Sequence, residues 1–205
     1  MTTSTVRVGL RAPLELLVAA VGFSSLGAEI AAARLMAPFF GASTVIWANT
    51  IAVVLVALAA GYRLGGRLAE RRPSRRALAE LVLLASLLLA IVPLVAHPFL
   101  KLSVRAFDEL SVGAFFSSLF GVLVLVAVPL LLLGAVSPWA IRLRLASAAT
   151  AGATAGRLYA ISTFGSLAGT WIAALVLIPH LGTQRTFLVL AAVPATAAAL
   201  RLGGR

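Results

Sequence analysis

Cysteine occurs nowhere in the 205 residues. Its absence excludes disulfides, thiolate zinc sites, iron–sulfur ligation and cysteine nucleophiles. It says little about compartment, because a fold built in a bilayer needs no disulfide. Acids are nearly as scarce: Glu15, Glu29, Glu70, Glu80, Asp108 and Glu109 are all there are. The apolar stretches hold no paired aspartates, no Ser/His or Ser/Lys arrangement and no histidine-rich cluster, so an enzyme working inside the membrane finds no machinery here. His97 and His180 each adjoin a proline or the end of an apolar run. No third ligand accompanies either, so neither a metal nor a cofactor is expected.

Charge of any kind is thin, at 11% of residues, while 61% are hydrophobic. Soluble domains carry about 25% charged residues and about 45–50% apolar ones. A soluble fold of this length could not hide so much apolar surface, because much of a small domain stays exposed. Hydrocarbon is the solvent that fits. One crossing takes about 20 apolar residues, and the chain reads as an all-α polytopic bundle of about six transmembrane helices. They fall near 14–36, 44–62, 77–96, 115–134, 157–178 and 186–202, after a short tail over 1–13. Arg7 and Arg11 before the first run resemble the start of a signal peptide. That run is too long for one and contains Glu29, so it reads as a retained helix.

Breakers set the expected boundaries. Pro38 and Gly41 end the first helix, Pro93, His97 and Pro98 the third, Gly134 to Pro138 the fourth, and Pro179 and Gly182 the fifth. Pro129 should kink the fourth, and Ala146 to Ala155 reads as a linker of small residues.

The net charge of +11 comes from sixteen arginines and one lysine against six acids. With the N-terminus inside, the inner segments hold Arg7, Arg11, the six arginines from Arg63 to Arg76, Arg142, Arg144, Arg157, Arg201 and Arg205. The outer segments hold Lys101, Arg105 and Arg185, and Arg34 lies near the outer end of the first helix. Thirteen against three is the positive-inside pattern, which puts both termini in the cytoplasm of a cell-membrane protein. It also accounts for the charge without nucleic acid. The stretch from Arg63 to Arg76 is suited to touching anionic lipid headgroups. Three crossings followed by three insert the second triplet in the opposite sense, the parity of an inverted repeat.

Glu29 is the most informative residue. A carboxylate in mid-helix costs about 2.5–3.5 kcal/mol on insertion scales, and something must offset that. Binding a cation or relaying a proton is one answer, and an arginine partner or a hydrogen bond in the bundle is another. Arg34, five residues on, is on a different face, so a partner on another helix is the slightly favoured expectation. Asn49 is the polar group that stands out in the second helix. Glu29, Arg34 and Asn49 are therefore the candidate substrate-binding residues. Gly165 and Gly169, in one helical row with Ala173 and near Ser162 and Ser166, read as a helix-packing surface. Trp47, Trp139, Tyr62 and Tyr159 near helix ends read as interfacial anchors.

Gly61, Arg63, Gly65, Gly66, Arg67 and Arg71 form a glycine-and-arginine motif where the second helix leaves the membrane. It is no dinucleotide fingerprint, since no strand precedes it and the spacing differs. It is similar to the loop between the second and third helices of major facilitator transporters, which helps control the change between inward and outward states. A plain basic loop obeying the charge rule is the simpler reading.

A wider resemblance runs through five blocks in order. They are Gly22-Phe23 with Glu29 and Arg34 to Gly41, then Gly61 to Pro73, Gly134 to Leu143, Gly156 to Thr170, and Leu177 to Thr183. Together they resemble the membrane region of fused major-facilitator/spermidine-synthase proteins. The resemblance implies half of a major facilitator fold. In that family a soluble domain usually follows, which binds decarboxylated S-adenosylmethionine and transfers an aminopropyl group to a diamine. The residues here hold neither its glycine-rich strand-to-helix turn nor acids in a soluble domain, so the transferase activity is not carried over.

Two functions follow as expectations. The first is a non-catalytic membrane domain that anchors or partners a synthase-like, polyamine-related cytoplasmic subunit through its basic face. The alternative is a half-size facilitator-like transporter of a small cationic solute such as a polyamine, acting as a homodimer.

Overall fold

The structure is a computed structural model that describes residues 14–109, 113–145 and 150–202, with backbone alone at 107–109. Arg7, Arg11 and Arg205, and residues 146–149 of the expected linker, lie outside the described residues. Every element is helical: α1 (Leu14–Phe40), α2 (Thr44–Arg71), α3 (Arg75–Glu109), α4 (Ala114–Gly134), α5 (Val136–Arg144), α6 (Ala151–Ile172), a π-helical segment (Ala173–Leu177) and α7 (Ile178–Leu202). Among the described residues, five runs are long and apolar enough to cross a membrane, the last being Ala151–Leu202.

Several helices outrun their expected ends. The third does not stop at Pro93 or Pro98 but continues through both to Glu109. Lipid-facing helices tolerate proline because neighbouring groups re-satisfy the freed carbonyl. The second continues past Tyr62 to Arg71, because Gly61, Gly65 and Ala69 remain buried against neighbours at four-residue spacing. Pro73, which cannot continue a helix, follows two residues later. The expected loop arginines Arg63, Arg67 and Arg71 therefore form an exposed stripe one helical turn apart. Between α4 and α5 the interruption shrinks to Ala135, and α6 takes up half of the expected linker.

The run from Ala151 to Leu202 is broken at Gly182, whose φ of 78° and ψ of 165° are non-helical. Glycine populates that region without the Cβ penalty. A Cβ built on Gly27 of α1 would lie 3.3 Å from the Gly169 carbonyl oxygen and would overlap the Leu190 side chain. Along one straight helix Gly169 and Leu190 would stand about 31 Å apart, so the chain reverses at Gly182 and residues 183–202 return to pack on α3 and α1. His180 Nδ1 donates to the Val176 carbonyl (2.8 Å) on one side of the break, and Thr186 Oγ1 donates to the Gly182 carbonyl (2.8 Å) on the other.

Helix pairing follows a pattern. The closest pairs are α1 with α6 and α2 with α4; then come α3 with α7, α1 with α7 and α3 with α4. Exchange α1, α2 and α3 for α4, α6 and α7, and this set maps onto itself. Parity suggested an inverted repeat, and the packing has its symmetry.

Both leading pairs are built on glycine. Cβ atoms at Gly165 and Gly169 would overlap the carbonyls of Ala19 and Phe23, and one at Gly22 would overlap that of Ser162. In the other pair, Gly61 and Gly65 lie against the Leu131 and Ala135 carbonyls, and Gly134 against the Leu58 backbone. Contacts spread along each pair, Glu15–Arg157 and Phe23–Gly169 in one and Asn49–Ser118 and Gly65–Ala135 in the other, rise together in sequence, so the paired helices run parallel. Without a hydrophobic drive between helices in lipid, such close backbone approach is what holds them together.

A hydroxyl-lined groove as the candidate functional site

Helices α1, α2, α4, α5 and α6 enclose an open cavity of about 270 Å³. Its apolar wall comes from Val21, Leu26, Leu55, Leu58 and Leu133 with Gly134, and the remaining lining residues carry hydroxyls. Three of these hydroxyls are spent on backbone: Ser25 on Val21 (2.8 Å), Thr163 on Tyr159 (2.9 Å) and Ser166 on Gly22 (3.1 Å). Serine and threonine commonly bond their own helix this way, but Ser166 crosses from α6 to α1 and pins the glycine seam. Tyr62, Ser137, Tyr159 and Ser162 also line the cavity. Their hydroxyls have no hydrogen-bond partner among the described residues.

Glu29 lies four residues beyond Ser25 and three beyond Leu26, which puts it on the same stripe of α1, one turn further along. It is half-buried. Among the described residues it forms neither an ion pair nor a hydrogen bond, so the expected interhelical arginine partner is not there. Arg34 is exposed. Asn49 is 4% exposed and its Nδ2 donates to the Phe115 carbonyl (2.8 Å) and Ser118 Oγ (2.9 Å), tying α2 to the start of α4. No hydrogen bond or ion pair joins any two of these three residues. Glu29 alone shares the stripe that lines the groove.

Of the expected interfacial aromatics, Trp139 is corrected. It is 3% exposed, and its indole N–H has no acceptor. Continuation of α4 into α5 turns it into the core. Tyr62 and Tyr159 flank the groove rather than serving only as anchors, and Trp47 stays exposed. The signal for these two tyrosines was parity. The end of α2 and the start of α6 fall at the same end of the bundle, where both carry Tyr beside small residues.

That end is also the basic one. Glu15 on α1 accepts from Arg144 Nη2 on α5 at 2.7 and 2.9 Å, and Arg157 on α6 lies 3.9 Å away. Arg76 and Glu80 form an exposed pair within α3 at 2.8 Å. Among the described residues, no three His, Asp or Glu side chains are grouped so as to hold a metal.

Comparison with protein-family models, with curated proteins and with solved structures gives no match. The class that the fold defines is therefore a helical bundle whose long helices are compatible with a membrane, carrying one hydroxyl-lined groove and one basic end.

Proposed function

We propose that this chain is a non-catalytic, membrane-embedded half-transporter for a small cationic solute. In this reading the break at Gly182 divides the last run into two crossings, giving six. The basic end faces the cytoplasm of a cell membrane, and a second copy covers the groove. Half of a facilitator-type fold, of the kind associated with spermidine synthases, is the architecture this implies.

The observation that carries the reading is Glu29: a half-buried carboxylate without a partner among the described residues, on the α1 stripe of a groove that keeps four hydroxyls uncommitted among those residues. An intramembrane carboxylate is retained at a cost, and a cationic solute supplies its counter-charge. Tyrosine and serine hydroxyls complete such a site, since they accept from ammonium groups and leave the walls largely apolar. The pairing symmetry supports it, because two like triplets around a site can rock against one another.

Vesicles reconstituted with the full chain should take up labelled putrescine or spermidine, and Glu29→Gln should abolish uptake while leaving the bundle folded. Uptake equal to that of empty vesicles would end this reading.

The exposed stripe of Arg63, Arg67 and Arg71 favours a second role. These residues offer a cationic surface to a synthase-like cytoplasmic subunit. Co-purification of such a partner from mild detergent, lost in the triple Arg→Gln variant, is the expected result. A chain that purifies alone at native expression counts against it.

A further inference from the structure

The basic end carries Arg75 at the start of α3, Arg144 at the end of α5, Arg157 on α6 and Arg201 near the end of α7, and α3 packs against both α5 and α7. Glu15 is engaged by Arg144 and approached by Arg157. Arg201, near the end of α7, sits within electrostatic reach of Arg75, Arg144 and Glu15. Its Nη1 is enclosed in the bundle and has no hydrogen-bond partner, while the residue as a whole is only half-buried. Arg201 is thus partly desolvated beside two like charges. Glu80 is committed to Arg76, and Glu70 is not among the charges acting on Arg201. Four cations against one anion leave a local excess of three positive charges. A partly desolvated guanidinium without a hydrogen-bonded counter-ion is costly, and its N–H groups only donate, so they call for acceptor oxygens.

We infer that Arg75, Arg144 and Arg201 form a binding site for a phosphate group, filled by the headgroup of an anionic phospholipid. The chemistry is that of guanidinium forks, which match phosphate oxygens and bond them through charge-assisted contacts. The source follows from position. The cluster lies where α3 begins and where α5 and α7 end, the depth at which a bilayer presents its headgroups. A bound phosphate there ties the last helix to α3 and α5 and completes the ion pair that Glu15 begins.

The test is thermal unfolding of the full chain in a neutral maltoside detergent, titrated with phosphatidylglycerol, phosphatidylcholine or inorganic phosphate. Phosphatidylglycerol should raise the unfolding midpoint, and the other two at equal concentration should not. Arg201→Gln and Arg75→Gln should each need about tenfold more phosphatidylglycerol for the same rise, the loss expected for one charge-assisted contact. Arg72→Gln, an exposed arginine just past α2, should titrate like the parent. Arg75 is the exposed first residue of α3, so its variant keeps the test open should Arg201→Gln fail to fold. Equal titrations for parent, Arg75→Gln and Arg201→Gln, or no response to phosphatidylglycerol, would overturn the site. An equal response to inorganic phosphate would overturn the lipid as its source.

Discussion

The α1–α6 seam and the α2–α4 seam solve one packing problem twice and part ways in their polar chemistry. In each, a pair of glycines four residues apart faces the backbone of a parallel helix that contributes one glycine of its own. Across α2–α4 the polar group is Asn49, buried and with its amide bonded at the end opposite the arginines. Across α1–α6 the polar groups are the Glu15–Arg157 contact at the basic end, Ser166 at the glycines, and Glu29, which has no partner among the described residues. The α2–α4 seam has its buried amide fully committed and reads as scaffold. The other keeps hydroxyls and a carboxylate uncommitted, which is where a solute can act. Shape complementarity alone is shared, so the difference in role lies in which polar groups remain free.

The largest expected effects test whether the seams are equivalent. Gly169→Ala and Gly61→Ala should each destabilise the bundle by about 1–3 kcal/mol, since an added methyl meets a backbone carbonyl that cannot rotate away. Unfolding in mixed micelles measures both, and a gap well beyond 1 kcal/mol between them would break the equivalence. Asn49→Ala comes next, at about 1 kcal/mol. It should loosen α2 from α4 and leave solute uptake by the α1–α6 side intact; lost uptake with unchanged stability would make Asn49 a binding residue after all.

Gly66→Ala sharpens the comparison within one motif. Nothing lies within 4 Å of a Cβ there, so the change should stabilise α2 by about 0.5–1 kcal/mol through helix propensity. Its neighbour Gly65, against Ala135, should respond with the opposite sign. The smallest effect belongs to Arg144→Ala. The Arg144 side chain is 48% exposed, and such a pair is worth about 0.5 kcal/mol, less at high salt. A loss several times larger would mean that Arg144 serves the cluster around Arg201 more than it serves Glu15.

Much of this was legible in the residues. Hydropathy marked every long helix, and Gly165 and Gly169 announced a close helix contact through their spacing. Helix ends were read less well. Pro93 and Pro98 looked like stops, yet α3 passes through both, because a bilayer offers no water to reward an early exit. Of the three candidate binding residues, Glu29 kept a place beside the groove, Arg34 is exposed and Asn49 is consumed by packing. The tyrosines of the groove were visible only as residues near helix ends.

Composition and arginine placement by themselves determined the solvent of this protein and the end at which its charge gathers. An apolar stretch of some 20 residues has one favourable environment, and guanidinium groups stay out of it. Partner choice was decided only in three dimensions. These helices are apolar on nearly every face, and lipid tails are as apolar as a protein interior, so hydropathy cannot say which face packs and which meets lipid. Small residues, and the backbones they admit, settle that. With it they settle that Trp139 is core, that Tyr62 and Tyr159 line one groove, and that Glu29 has no partner among the described residues.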